Sequence, residues 1–232
     1  MITSLNRFAN HDPLTRTTRP PKIGIALSGG GARGSAHMGV LRTLEAAGID
    51  YDMMSATSIG ALAGLIHCSG YKATEMIDAC KRELMPSRLL NKIPGGRYLH
   101  LMRLLRKGGI SCKIKRYVGE DCRLENLPKR LMITATDLIA GELVVQEQGC
   151  AVTALMASMS LPGMARPITG ENRLLVDGGV MNNLPGDVLR DRGADIVIGV
   201  DISSDAQDER WDSGSNGLLS TLSRSWQLMN GH

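Results

Sequence analysis

Aromatic side chains are scarce: one Phe, two Trp and four Tyr, or 3% of 232 residues. Platforms on which bases could stack are nearly absent, so nucleic acid is not expected as a partner. No run approaches the roughly 20 apolar residues that a membrane-spanning helix needs. Residues 1–22 carry three Arg and three Pro and have no apolar stretch of the signal-peptide kind. The five cysteines, Cys68, Cys80, Cys112, Cys122 and Cys150, are odd in number and form no C-x-x-C pair. That pattern excludes a disulfide framework and a zinc site, and it fits reduced thiols in a cytoplasmic protein. No metal and no cofactor is expected. The length suits one sizeable α/β domain rather than two.

What is present is organised around Ser58-Ile59-Gly60, between the apolar run Tyr51 to Ala56 and the small-residue run Ala61 to Ile66. A serine where a strand hands over to a helix is lifted clear of its neighbours, and a glycine two residues on lets the backbone turn tightly. That is the geometry of a nucleophile, although the G-x-S-x-G form is replaced here by Ala56-Thr57-Ser58-Ile59-Gly60. One such triplet alone is most often an ordinary turn.

Upstream, Ile23 to Leu27 reads as a buried parallel strand that stops at Ser28-Gly29-Gly30-Gly31-Ala32-Arg33-Gly34. Ser35 is placed to cap the following helix, whose apolar face is Val40, Leu41 and Leu44 and which Gly48 closes. The order strand, glycine loop, helix, strand, nucleophile turn, helix opens an alternating α/β sheet. Gly29-x-Gly31-x-x-Gly34 has the G-x-G-x-x-G spacing of a dinucleotide-binding loop, and the same amides also suit the oxyanion of an ester intermediate. Glycine alone does not choose, and a plain tight turn is a third reading. A dinucleotide fold wants an acidic residue at the end of its second strand, whereas Asp50 and Asp52 precede that strand.

Residues 71–130 hold 15 Lys/Arg against 6 Asp/Glu, while the whole chain nets only +4. Within them Leu101, Met102, Leu104 and Leu105 interleave with Arg103, Arg106 and Lys107 at helical spacing. Such a segment suits either an anionic membrane surface or the solvated face of an ordinary helix. The 13 Met are either core fillers or an adaptable surface for acyl chains. Further along, Leu131 to Thr136, Leu143 to Val145, Asn172 to Val176 and Ile196 to Val200 read as strands, and Ala151 to Met159 and Asp187 to Gly193 as helices. Asp177-Gly178-Gly179 ends one strand with a carboxylate and two glycines, which let Asp177 face inward; Asp-Gly is equally at home in a solvent turn.

The glycine loop, then Thr57-Ser58-Ile59-Gly60-Ala61, then Ala157-Ser158-Met159-Ser160-Leu161-Pro162-Gly163, then Asp177-Gly178-Gly179 with Asn182-Asn183-Leu184-Pro185, in that order, resemble the patatin-like phospholipases, nearest to their bacterial and neuropathy-target-esterase branch. The resemblance covers Lys22 to Ser203. It implies a three-layer α/β/α fold with a mainly parallel central sheet, and hydrolysis of acyl esters of phospholipids or lysophospholipids by a Ser/Asp dyad. Carried over, Ser58 is the nucleophile, Asp177 the proton acceptor, and the backbone around Gly29, Gly30 and Gly31 the oxyanion hole, with Ala32, Arg33 and Gly34 completing the loop. Ala56, Thr57, Ile59 and Gly60 form the nucleophile elbow, and Gly178 and Gly179 the turn after the base. Ala56 departs from the family glycine and adds a methyl that would crowd the neighbouring backbone.

No histidine competes as the base. His67 lies nine residues past Ser58, about 13 Å along a helix, His37 is in the first turn after the glycine loop, and His11, His100 and His232 lie in tails or the basic segment. An ordinary Asp, with pKa near 3.9, is too weak a base at neutrality, so Asp177 needs desolvation. The resulting expectation is a flexible arm (1–21), a catalytic domain (22–203) containing a basic, mainly helical insertion (71–130), and a polar tail (204–232) with a short amphipathic helix. The enzyme would be cytoplasmic or peripheral at the inner face of a membrane. A nucleotide-binding oxidoreductase and a non-catalytic membrane-binding module are the alternatives.

Overall fold

A computed structural model describes residues 19–83, 109–170 and 172–203. Most of the expected arm, the run Leu101 to Lys107, and the tail with its Leu218 to Met229 helix lie outside the described residues. At the arm's end the Arg19 guanidinium forks onto Asp195, at 2.9 and 3.1 Å.

Seven strands form one sheet in the order β5-β6-β3-β2-β1-β7, with β4 also paired to β3. β1 (Ile23–Leu27), β2 (Met53–Ala56), β3 (Arg130–Asp137) and β7 (Ile196–Val200) are mutually parallel. β4 (Glu142–Gln146), β5 (Ile168–Gly170) and β6 (Arg173–Asp177) pair antiparallel. Side chains alternate across the sheet as a pleat requires. Ile25, Leu27, Met54, Leu131 and Ile133 join one core, and Ala26, Met53 and Met132 join the other.

The first core lies under α1 (Ser35–Ala46), α2 (Ile59–Cys68), α3 (Ala73–Glu83), α4 (Gly109–Val118) and α5 (Ala151–Ser158). The second lies under α6 (Gly186–Asp191), through Val188 and Leu189. The architecture is therefore the three-layer α/β/α arrangement. α2 is apolar on every side and has eight buried residues, so it is the helix at the centre of its layer. Met38, Met53, Met54, Met76, Met132 and Met159 are buried, which places these six in the core-filling role. All five cysteines are free.

One local expectation needs correction, and two features of the sheet go beyond the sequence reading. Ser35 is the first residue of α1, not its cap; a 3-10 turn over Gly31–Gly34 runs straight into the helix, so no cap is required there. β5 has three residues, too few for a periodic signal in the sequence. β6 runs antiparallel to β3, and that reversal shapes the site. Ile133 pairs with Gln146 of β4 on one side and Ala56 of β2 on the other, whereas Ala135 pairs with Val144 of β4 and Asp177 of β6. β2 and β6 therefore share one edge of β3 and approach each other end to end. Their carboxyl ends are two β3 residues apart, about 7 Å.

Candidate active site

Past Ala56 the chain leaves the sheet through Thr57 and Ser58, which is the N-cap of α2. Ser58 has φ 53° and ψ −121°, a left-handed backbone that costs a side-chain-bearing residue on the order of 1–3 kcal/mol. Surrounding bonds fix it there. The Thr57 amide donates to the Leu27 carbonyl (3.1 Å), and the Thr57 hydroxyl is 2.6 Å from that of Thr134 and donates to the Asn182 carbonyl (3.0 Å). The Ser58 amide donates to the Ser158 hydroxyl at the end of α5 (2.8 Å).

Gly60 earns its place by close approach rather than by turn dihedrals. A Cβ there would lie 2.6 Å from the carbonyl oxygens of both Leu27 and Ser28, so only glycine lets α2 start directly on the end of β1. The Ala56 methyl points at α2, where Gly64 makes room: even a Cβ on Gly64 would be 3.5 Å from it. The extra methyl is thus accommodated on the helix side, away from the turn.

The glycine loop leaves β1 beside this turn. Gly29 lies against Ser58, where a Cβ would be 3.3 Å from the Ser58 Cβ and 2.5 Å from Asn183 Oδ1. The Gly29 amide is already committed to the Asn183 carbonyl (3.1 Å), whereas the amides of Gly30, Gly31 and Ala32 have no acceptor among the described residues. Gly31, Ala32 and Arg33 are exposed, Gly34 is buried against Ile59, and His37 props the base of the loop through Nε2 and the Ser28 carbonyl (2.8 Å). Burial lowers the His37 pKa, so its imidazole is neutral near pH 7.

Asp177 comes down β6 to meet the turn. It is 1% exposed; its amide donates to the Ser160 carbonyl (3.0 Å), and its carbonyl accepts from the Thr136 hydroxyl (3.1 Å). Oδ1 accepts the Gly179 amide (2.8 Å), while Gly178 lies over Thr134. Oδ2 is buried with no partner in full hydrogen-bond geometry. Burial pushes the carboxyl up to about 7, and the Ser58 hydroxyl and the Gly179 amide pull the other way. The fold thus brings Ser58, Gly29, Thr57, Gly178 and Asp177 together. Residue type alone assigns no role to Ser158, Ser160 or Thr134; the motif from Ala157 to Gly163 signals the two serines, and Thr134 reads only as part of a strand. No group of His, Cys, Asp or Glu among the described residues is arranged to hold a metal. No described helix is long and apolar enough to cross a membrane.

The fold class extends to solved proteins. VipD from Legionella pneumophila superposes over 72% of this chain and 47% of its own, with a TM-score of 0.50 and 15% identity. A sequence model described as Patatin-like phospholipase matches residues 25–190. An NTE family protein of Mycobacterium tuberculosis is 33% identical over 176 residues, which is 76% of this chain and 29% of that protein. Human patatin-like phospholipase domain-containing protein 6 is 31% identical over 227 residues, which is 97% of this chain and 16% of that protein. This chain belongs to the patatin-like phospholipase family. It spans less than a third of the length of those two relatives.

Proposed function

We propose that this protein is a lipid acyl hydrolase that cleaves acyl ester bonds of phospholipids or lysophospholipids with Ser58 as nucleophile and Asp177 as its base. The observation that carries the reading is a buried carboxyl raised to about 7, which feels the Ser58 hydroxyl and whose Oδ2 has no partner in full hydrogen-bond geometry, on the strand whose end meets the Ser58 turn. A base poised near neutrality accepts a proton and returns it with little penalty either way.

In acylation the Ser58 proton passes to Asp177 as Oγ bonds to the ester carbonyl carbon. The resulting oxyanion is received by the open amides of Gly30 and Gly31. Gly29, whose amide is occupied, contributes clearance beside Ser58 instead. Collapse breaks the ester C–O bond, and the proton held by Asp177 leaves with the departing alcohol. Water then repeats the sequence on the acyl-enzyme, releasing the fatty acid and restoring Ser58.

The dinucleotide alternative has less support. Its carboxylate belongs at the carboxyl end of β2, and that end carries Thr57 and Ser58. Asp50 and Asp52 are at the other end, bonded to Lys129 and to the Ile23 amide. An anionic membrane surface, met by the basic 71–130 segment at the inner face of a membrane, completes the proposal as the place where substrate is found.

Ser58→Ala and Asp177→Asn should each lower hydrolysis of a short-chain aryl ester by on the order of 10³-fold or more with far-UV circular dichroism unchanged. A fluorophosphonate probe should label Ser58 and no other serine. Wild-type kcat/KM should rise as pH climbs through about 7 and level off above it, following ionisation of Asp177 in the free enzyme. Full activity in either variant would remove the dyad, and product analysis on a mixed lipid extract identifies the substrate.

A further inference from the structure

Ser58 and Asp177 reach the site on two strands that share no lateral hydrogen bonds with each other; both hang from the same edge of β3. What bridges them is one short turn. The Ser158 hydroxyl accepts the Ser58 amide at 2.8 Å, and two residues on, the Ser160 carbonyl accepts the Asp177 amide at 3.0 Å. The turn is itself anchored, because the Ser160 hydroxyl reaches the Met156 carbonyl (2.7 Å) and the Arg166 carbonyl (3.1 Å). Ser158 and Ser160 are 0% and 2% exposed, and Ala154, Leu155 and Ala157 are buried along the helix that ends at Ser158. The Ser58 amide needs such a partner: as N-cap of α2, it lies outside the helical ladder.

We propose that Ser158 is a positioning residue for the nucleophile: its hydroxyl holds the left-handed Ser58 turn by the backbone amide, while the carbonyl of Ser160 holds Asp177 at a fixed distance from it. This rests on the Ser58/Asp177 reading and adds a part to it. A single turn then sets the separation of hydroxyl and carboxylate, and releasing one side changes the approach of the two while leaving the glycine loop in place. The effect belongs to the chemical step, since a displacement of about 1 Å at the reacting atoms costs on the order of 10²-fold.

The test compares wild type, Ser158→Ala and Ser158→Thr. Four quantities are measured: kcat and KM for a short-chain aryl ester, the second-order rate of fluorophosphonate labelling, far-UV circular dichroism, and residue-resolved amide hydrogen exchange. Ser158→Ala should lower kcat and the labelling rate together by about 10- to 100-fold, with KM within about twofold. The Ser58 amide should exchange faster, while amides of β1 and β3 keep their protection. Ser158→Thr, which keeps the hydroxyl, should recover most of the lost kcat. Unchanged kcat and labelling in Ser158→Ala, or unchanged exchange at Ser58, would overturn the proposal. So would a loss of protection spread over the whole sheet that threonine does not repair, which is the mark of a packing role. If wild type neither hydrolyses the ester nor takes the label, the dyad falls and this role with it. If wild type is active and Ser158→Ala is indistinguishable from it, only the positioning role is lost.

Discussion

At the carboxyl end of the parallel strands the Oδ2 of Asp177 is buried with no partner in full hydrogen-bond geometry among the described residues, and Nδ1 of His37 under the glycine loop is likewise without one. At the amino end of the same strands an equally polar cluster has every group bonded. His67 is held through Nδ1 by the Tyr51 hydroxyl (2.6 Å) and through Nε2 by Glu45 (2.9 Å), and Glu45 also accepts the Ala73 amide (3.0 Å). Lys129 bonds Asp50 and the Tyr51 carbonyl, and its ammonium lies 4.4 Å from the centroid of the Tyr51 ring. Nearby, burial pushes the Cys68 thiol up to about 12. A cleft of about 350 Å³ opens beside this cluster. By residue type the amino end looks the more catalytic, with a cleft, a histidine, a carboxylate, a hydroxyl and a thiol. Yet its histidine spends both nitrogens on structure, and its thiol is held protonated. Under the proposed reading, reactivity follows from incomplete satisfaction, which a fold tolerates only where surrounding bonds over-determine the geometry.

The comparison is most easily broken by spoiling that over-determination. Gly60→Ala drives a methyl to within 2.6 Å of two backbone carbonyl oxygens, which cannot swing aside as a side chain would. A loss of at least ~3 kcal/mol of stability is expected, with activity lost alongside. The matched control is Gly39→Ala on α1, where a Cβ meets nothing within 4 Å. It should be neutral or stabilising by up to ~1 kcal/mol, because alanine is the better helix former. Urea titrations of the two variants check this; equal stabilities would mean that the turn on β1 is looser than its geometry indicates.

Most of the sheet and the meeting of the two proposed residues are legible in the sequence, because β1, β2, β3 and β7 are short apolar runs ending in polar turns, and Ser58 and Asp177 each stand at a strand end. What was not legible depends on partners distant along the chain. Nothing in Arg173 to Asp177 shows that the strand runs against β3; pairing with Ala135 and Thr136 decides that. From the sequence, glycine at position 60 reads as a requirement of the turn, whereas its cause is the pair of carbonyls 32 and 33 residues earlier. Ser158 looks like an ordinary helix residue until the Ser58 amide arrives opposite it. The expectation that Asp177 requires desolvation could be written from ordinary pKa values, but its source, burial at a strand end, is a property of the assembled sheet.

A second test, of intermediate size, uses the opposite energetic signs of the two ends. Folded Asp177 keeps its proton up to about pH 7, whereas an unfolded aspartate releases it near 4, so between these values the folded state binds more protons. Stability from this residue is therefore present at acid pH and lost as pH rises through that window. Asp177→Asn removes the buried charge while keeping an oxygen for the Gly179 amide. At pH 8 it should raise stability by up to a few kcal/mol, with the advantage shrinking toward pH 4. A variant that abolishes hydrolysis should thus melt at higher temperature than wild type in alkaline buffer. If it melts lower at pH 8, then the carboxylate is better satisfied than its unpartnered Oδ2 indicates.

The smallest effect is expected at the amino end, with the sign reversed. Tyr51→Phe deletes one hydroxyl, leaves the ring under Lys129, and strips His67 Nδ1 of its partner. Because His67 is nearly buried, that loss is not made good by solvent, and the expected destabilisation is about 1–2 kcal/mol. The strand β2 separates this network from the Ser58 turn, and no bond described at the site passes through Tyr51. The kcat should therefore stay within about twofold of wild type, while Asp177→Asn shows the reverse pattern, more stable and inactive. Finding both variants displaced in the same direction on both axes would mean that the two ends are coupled through β2, and that satisfaction of polar groups does not separate structure from chemistry in this fold.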